Sequence, residues 1–378
     1  MQAIFKNTFL GFAILASLLV TLIMTIAQIP SAKSTMQNIP VAIVNEDQGA
    51  LGKNITKQIM NNKTKVDHAD NPIFKWHQYD NQSAAEKDLD FNGNYATVII
   101  PKNFTTDIMQ ISQTNQPVTI KIVLNQGRNN TLSTSINQIL TGMFTKIGTG
   151  IGNNSLAKLG DATIPANKVN TIANPLKVEV TKTHQTTNLE AASSVFFQPI
   201  WIASLAVTML MYFASKAFQP RHRQDVLKFK TITVGLIAII SILIGFSTRF
   251  YASQILDYNF PDSLTLSLFL SLASFAFIML FSGFIAWLGV PGVAIFGLLL
   301  FFGLPLLVMA PEMLPTFYQN WILPWLPMRF LYEGIRELLY YSNNFINQNT
   351  IALMVISLTG LGLFFLESFS KRHKASFL

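Results

Sequence analysis

The chain has no cysteine. That excludes disulfides, thiol catalysis, zinc–thiolate sites and iron–sulfur clusters. Any exported part must hold together through its apolar core alone. Charge is also scarce: 12% of the 378 residues are charged and 50% are apolar, too few charges for a water-soluble chain of this size. No Gly-x-x-x-x-Gly-Lys-Ser/Thr loop is present, and no Gly-x-Ser-x-Gly elbow. If ATP drives this protein, the motor is another polypeptide. His68 and His77 lack a metal-ligand spacing, and Asp67 and Asp70 sit in a polar, Lys-rich stretch that reads as solvated surface. The expectation is a protein that is not an enzyme and has no metal or cofactor.

What is present is a set of long apolar runs. One lies near the N-terminus, Phe9 to Ala27. The others are Val195 to Phe213, Ile232 to Thr248, Leu264 to Leu288, Val290 to Met309 and Ile351 to Leu366. A helix needs about 20 apolar residues to cross the hydrocarbon core. The expected fold is an α-helical polytopic membrane protein with six transmembrane helices, arranged one plus five. An α/β domain is inserted between the first two. The expected parts are 1–28, an N-terminal transmembrane helix; 29–194, the inserted domain; and 195–378, a five-helix membrane domain. The first run exceeds the 7–15 residues of a signal core, and Ile29 and Pro30 follow it, so it reads as an uncleaved anchor.

Charge orients this layout. Lys6, Lys216, Arg221, Arg223, Lys228, Lys230, Lys371, Arg372 and Lys374 fall on one side, against Arg249, Arg329 and Arg336 on the other. Short cytoplasmic loops collect Lys and Arg. Both termini and the loop 214–230 are therefore expected inside a cell membrane, with 29–194 outside. Much of the net charge of +8 is this bias, because the inserted domain carries 15 basic and 12 acidic residues. It is not a nucleic-acid signal.

Within the inserted domain, Val41 to Val44, Phe74 to Tyr79, Tyr95 to Ile100, Val118 to Leu124 and Lys177 to Thr181 read as strands. Helical spacing recurs over Leu51 to Met60, Phe104 to Ile111 and Leu132 to Ile147. The stretch Gly148 to Pro175 has little periodicity and reads as irregular. Alternating strands and helices imply a mixed sheet in an α/β sandwich.

Two local sequences stand out. "IPVAIVNEDQGALG", Ile39 to Gly52, reads as a strand, a turn and a helix start, with Asp47 or Gln48 as a cap. "GNYATVIIPKNFT", Gly93 to Thr105, is a strand closed by Pro101. Together they closely resemble blocks in the extracellular domain of the phage-infection-protein-like (Pip-like) membrane proteins of Gram-positive bacteria, members of the ABC-2 permease superfamily. The one-plus-five layout is similar to that of the nitrosoguanidine-resistance-type membrane proteins. The residues that carry the resemblance are Asn45, Glu46, Asp47, Gly49, Pro101 and Phe104. It implies the permease subunit of a bacterial exporter for an amphipathic compound, lipid or peptide. That subunit would pair as a homodimer or with a similar permease and work with a separate ATPase subunit. One departure is that about eight residues precede the first run, so the amphipathic N-terminal helix of many ABC-2 permeases is short or missing.

Two membrane-side segments carry alternative readings. The basic residues of 214–230 either meet lipid headgroups or, as the resemblance implies, dock the ATPase through Phe218, Arg221, Arg223, Asp225, Val226, Leu227 and Phe229. The segment 310–349 is aromatic and broken by Pro311, Pro315, Pro324 and Pro327. It is expected to be re-entrant, a pair of short helices dipping from the outside. Its Glu333, Arg336 and Glu337 share one helical face, either a solvated edge or an outer gate or dimer contact. The alternative to export is a surface receptor or a secretion or phage-adsorption scaffold that uses the outer domain.

Overall fold

The computed structural model describes residues 8–66, 69–159, 163–218, 222–341 and 344–369, and in the first helix the side chains of residue 15 and of 17 onward. The chain divides into two compact units: Thr35–Thr187, and Met1–Ser34 joined with Asn188–Leu378. The inserted unit is thus a few residues shorter at each end than 29–194.

Helix α1 (Thr8–Ala27) opens the chain. The inserted unit then lays down β1 (Ile39–Asn45), α2 (Ala50–Met60), β2 (Phe74–Tyr79), α3 (Gln82–Asp90), β3 (Ala96–Ile100), β4 (Val118–Asn125), α4 (Asn130–Leu159), α5 (Ala166–Ala173) and β5 (Leu176–Thr183). The five strands form one sheet in the order β2-β1-β3-β4-β5. β1 runs parallel to β2 and β3, β4 parallel to β5, and only β3 with β4 is antiparallel. The sheet is mixed, and its helices serve as crossovers between parallel strands. The central strands β1 and β3 are buried almost throughout, as strands covered on both faces must be. Ala42, Val44, Ile99 and Val123 pack on Ala85 and Leu89 of α3.

Two helices here depart from expectation. α3 has only Ala85 and Leu89 as buried residues and little apolar signal; its start is fixed by Asn81, whose side chain accepts from the Ala84 amide. α4 does not stop near Ile147 but runs on to Leu159, and α5 follows, so 148–175 is largely helical rather than irregular. Glycines hid this. Gly148 approaches Leu176, and a Cβ on Gly152 would collide with the Ala173 carbonyl. The face that packs is marked by missing side chains, not apolar ones.

The second unit continues with α6 (Ala192–Ser215), α7 (Arg223–Ile255), α8 (Ser263–Leu288), α9 (Val290–Val308), α10 (Pro327–Tyr340) and α11 (Gln348–Leu366). Among the described residues, five helices are long and apolar enough to cross a membrane: α6, α7, α8, α9 and α11 with its following turn. The chain is a polytopic, mostly helical protein. α1 packs beside α9, with Leu15, Leu18, Leu19 and Leu22 exposed.

α7 is far longer than the apolar run 232–248. Its 33 residues extend about 50 Å, against about 30 Å of hydrocarbon. The stretch between Lys230 and Arg249 alone covers about 28 Å. Hydropathy detects that stretch and misses the polar turns at either end.

α8 is the axis of the bundle. In its apolar window 72% is buried inside the protein, against 28–33% in the other four. Trp201 of α6 lies fully buried against it, with ring centroids 4.8 Å from Phe277 and 4.9 Å from Phe281, and its indole donates to the Phe296 carbonyl at 3.2 Å. Small residues let the backbones close in. A Cβ on Gly360 would collide with the backbone of Met279 and Leu280, and one on Gly245 with Ser271. Gly283 likewise meets the Gly360 backbone and Gly303 meets Met328, whereas Gly297 faces open space. α8 passes to α9 at Gly289, whose φ of +70° favours glycine.

The segment after α9 has a 3-10 turn at Pro311–Met313 and then two longer helical pieces. Residues 316–325 mix α, π and 3-10 turns, and α10 follows after a break at Leu326. α10 buries Met328, Leu331, Ile335 and Leu339 at helical spacing, and its Gly334 sits against the Phe269 ring of α8.

One helix offers its own control. Gly360→Ala is expected to destabilise the full-length protein by about 1–3 kcal/mol through forced backbone movement. Gly362→Ala, which meets nothing, is expected to be neutral or to stabilise by up to about 1 kcal/mol. Thermal unfolding in one detergent compares them.

Candidate functional site

The residues of the two signature blocks meet in the inserted unit. The Asn45 side chain accepts from the Asp47 amide at 3.0 Å, and the Glu46 amide extends the ladder to the Ile100 carbonyl at 3.1 Å. Asp47 is 4% exposed. Its carboxylate accepts from the Thr105 hydroxyl at 2.5 Å, the Thr105 amide at 3.3 Å and the Gly52 amide at 3.2 Å. Gly49 lies so close to Thr105 that a Cβ would collide with it. Phe104 is fully buried, and its amide bonds the Pro101 carbonyl at 3.1 Å. These residues form a joint that ties the start of α2 to the turn after β3. Burial works to raise the Asp47 pKa, but the hydrogen bonds from Thr105, Gly49 and Gly52 outweigh it and hold the carboxyl below its usual value. Because the folded-state pKa is depressed, the resulting stability is present above the unfolded value of about 3.9 and is lost as pH falls through the folded value. Asp47→Asn is expected to destabilise the inserted unit by about 1–3 kcal/mol at neutral pH, with the gap to wild type closing on acidification; unfolding followed across pH measures it.

The chemistry in the membrane unit lies elsewhere, at the end where α6 stops and α7 begins. The expected loop 214–230 is mostly helix. α6 reaches Ser215, α7 starts at Arg223, and of the connector between them residues 219–221, with Arg221, lie outside the described residues. Asp225 belongs to a helix start rather than a loop: it closes a capping box, accepting from the His222 amide at 2.9 Å. Arg223 lies 3.9 Å over the Phe369 ring. The Phe218 and Phe229 rings stack at 4.4 Å. His222, Arg223, Gln224 and Lys228 remain exposed.

Behind this stack is a partly open cavity of about 230 Å³ between α6, α7, α8 and the end of α11. The apolar lining includes Met211, Phe218, Val226, Phe229, Ile285 and Phe364. The polar lining includes the hydroxyls of Thr208, Tyr212, Thr233 and Ser282, with Lys230 and Glu367. The Lys230 ammonium donates to Glu367 Oε2 at 2.9 Å and to the Phe364 carbonyl. Their side chains are only 8% and 14% exposed. Glu367 is turned inward as the partner of Lys230. The pairing has a cause in α11. A helix leaves its last four carbonyls without intrahelical partners and ends with partial negative charge. Lys230 takes the carbonyl of Phe364, and the Trp287 indole takes that of Leu363 at 2.9 Å.

The expected outer-gate residues Glu333, Arg336 and Glu337 all lie on α10. Glu333 accepts from Arg329 Nε at 2.7 Å, so its ion-pair partner on α10 is Arg329 rather than Arg336. Arg336 and Glu337 are half-buried on the same helix, and both have interaction partners.

The family is settled by a match over residues 11–354 to a model described as a protein of unknown function (DUF3533). The chain belongs to the DUF3533 family. No curated protein matches it. No solved structure matches it either. The match runs through the inserted unit and most of the membrane unit of this DUF3533 chain, and ends within α11, before Phe364 and Glu367. Among the described residues no three His, Asp or Glu side chains gather as a metal site.

Removing one partner of the buried pair strands the other. Lys230→Met is expected to destabilise by about 3 kcal/mol, and Lys230→Met with Glu367→Gln to recover most of that loss. Thermal unfolding of the two single variants and the double variant gives the coupling.

Proposed function

We propose that this DUF3533 chain is the membrane-spanning subunit of a bacterial exporter for amphipathic compounds, of ABC-2 type. Two copies, or one copy with a similar permease, form the pathway in the cell membrane, and a separate ATPase subunit drives it. All six helices expected from the sequence cross the membrane, α1 included. Residues 35–187 lie outside, and both termini lie inside. The chain itself carries out no covalent chemistry.

The observation that carries this reading is the shared residues of connector and cavity. Phe218, Val226 and Phe229 belong to the segment that would meet an ATPase, and they also line the cavity with the Lys230–Glu367 pair. A push on the exposed residues His222, Arg223 and Lys228 would reach the cavity through one helix turn. An anchor needs neither a buried ion pair nor a cavity, and ionisable groups at membrane depth mark functional pathways. The receptor reading has one observation in its favour. A cleft of about 400 Å³ lies between edge strand β2 and α4 in the inserted unit, lined by Phe74, Trp76, Gln138 and Lys146. A cleft there suits ligand capture as well as export.

Because the chain has no native cysteine, single cysteines test orientation and partner together. Ser83→Cys is expected to react with an impermeant thiol reagent on intact cells. Gln224→Cys is expected to be protected, and to crosslink to a co-purifying ATPase that carries the phosphate-loop motif. Labelling at Gln224→Cys without labelling at Ser83→Cys would invert the topology. Correct topology with no ATPase captured at position 224 would remove the ABC-2 reading.

A further inference from the structure

Among the described residues, two buried hydroxyl side chains of the membrane cavity, Thr233 and Ser282, have no hydrogen-bond partner. Serine and threonine in helices commonly donate back to the carbonyl four residues earlier. Ser204, Thr208, Ser241, Ser271 and Ser274 all do so here. Thr233 and Ser282 make no such bond, although they are 7% and 4% exposed and both line the cavity. They stand on different helices, α7 and α8, and converge on one space. Each offers a donor and acceptor lone pairs.

We propose that this cavity binds the head of a neutral, hydroxyl- or amide-bearing amphiphile, held by Thr233 and Ser282. This deepens the export reading by naming its substrate class. The neutrality follows from the charges present. The charged residues lining the cavity are Lys230 and Glu367, and they compensate each other at 2.9 Å. A head with a single charge of either sign would leave an uncompensated charge in a mostly buried site, where that is costly. A neutral polar head meets hydroxyls that can donate or accept and leaves the ion pair intact. The rest of the ligand follows from volume. About 230 Å³ is smaller than the roughly 300–1,000 Å³ of pockets that enclose a drug-sized molecule. The space takes a head group and its first methylenes against Met211, Ile285 and Phe364. A longer chain leaves through the open side of the cavity.

The test uses full-length protein in phosphatidylcholine nanodiscs and three labelled probes with one dodecyl-length chain: monododecanoyl glycerol, dodecanoate and dodecyltrimethylammonium. Uptake into empty nanodiscs is subtracted. The expected result is saturable binding of the glycerol ester, at least about tenfold tighter than either charged probe. Thr233→Val and Ser282→Ala should each weaken it about three- to tenfold, the loss of one hydrogen bond. Ser274→Ala, whose hydroxyl bonds the Leu270 carbonyl at 2.9 Å, should leave it unchanged. Absence of saturable binding, equal affinity for all three heads, or unchanged affinity in both cavity variants would overturn the proposal. No ATPase or transport enters this measurement. Failure to capture an ATPase would leave a positive binding result standing, and export with no head selectivity would overturn only the substrate class.

Discussion

A polar group at membrane depth has no water to turn to, so leaving one without a partner inside the protein is costly. That constraint organises the membrane unit of this chain. Hydroxyls fold back onto their own helices, as at Ser204, Thr208 and Ser271. The Trp201 indole reaches across to a carbonyl of α9. The open carbonyl end of α11 is met by Lys230 and Trp287. The Lys230–Glu367 pair that borders the cavity thereby also closes the end of α11. The ammonium answers the helix terminus, and the carboxylate then balances the ammonium. With both in place the charges among the described lining residues balance, and the buried hydroxyls of Thr233 and Ser282 become prominent polar features of the cavity.

The elements whose signal is apolar were legible in the sequence. Five membrane helices and all five strands lie where their runs predict, because a buried strand and a membrane helix both advertise themselves through side chains. Where packing works by removing side chains, the sequence falls silent. The second half of α4 looks irregular because Gly148, Gly150 and Gly152 interrupt its periodicity, yet Gly148 and Gly152 give the close approach to Leu176 and Ala173. Gly245 and Gly360 set helix spacing in the same way and carry no pattern that separates them from Gly297 or Gly362, which face open space. The candidate site was legible only in part. Phe218 and Phe229 were readable as an anchoring segment. Lys230 read as one more inside charge, because its partner lies 137 positions away and no local pattern links them. A trace was present even so: Glu367 is a lone acid at the end of an apolar run, and Thr233 and Ser282 are hydroxyls inside apolar helices.

The most recognisable residues proved to be structural. Asp47 and Thr105 come from separate blocks and are bound to each other in the core of the inserted unit. A joint of this kind constrains residue identity tightly. It needs an acceptor with two oxygens, a hydroxyl, and glycines at 49 and 52 that leave room for both. It therefore leaves a strong sequence mark without touching any ligand. An ion pair lining a cavity leaves a weak mark, since neighbouring turns of the helices can supply either charge. Resemblance and chemistry thus point to different places in the chain.

The geometry of the connector bears on how such a cavity would be driven. The capping box of His222 and Asp225 fixes the first turn of α7, and Lys230 lies two turns further along the same rigid helix. Phe218, on the other side of the connector, is held to that helix by its stack on Phe229. A force on the exposed start of α7 acts on this capped helix end. It either tilts α7 or pulls Phe218 from Phe229. Tilting α7 moves Lys230 away from the end of α11 and exposes the Glu367 charge; opening the stack leaves that pair intact and only widens the apolar mouth. The second movement separates one aromatic contact worth about 0.5–1.5 kcal/mol. The first breaks a largely buried ion pair at about 3 kcal/mol. Opening at the aromatic stack is therefore the softer mode, with the ion pair as the hinge about which it occurs.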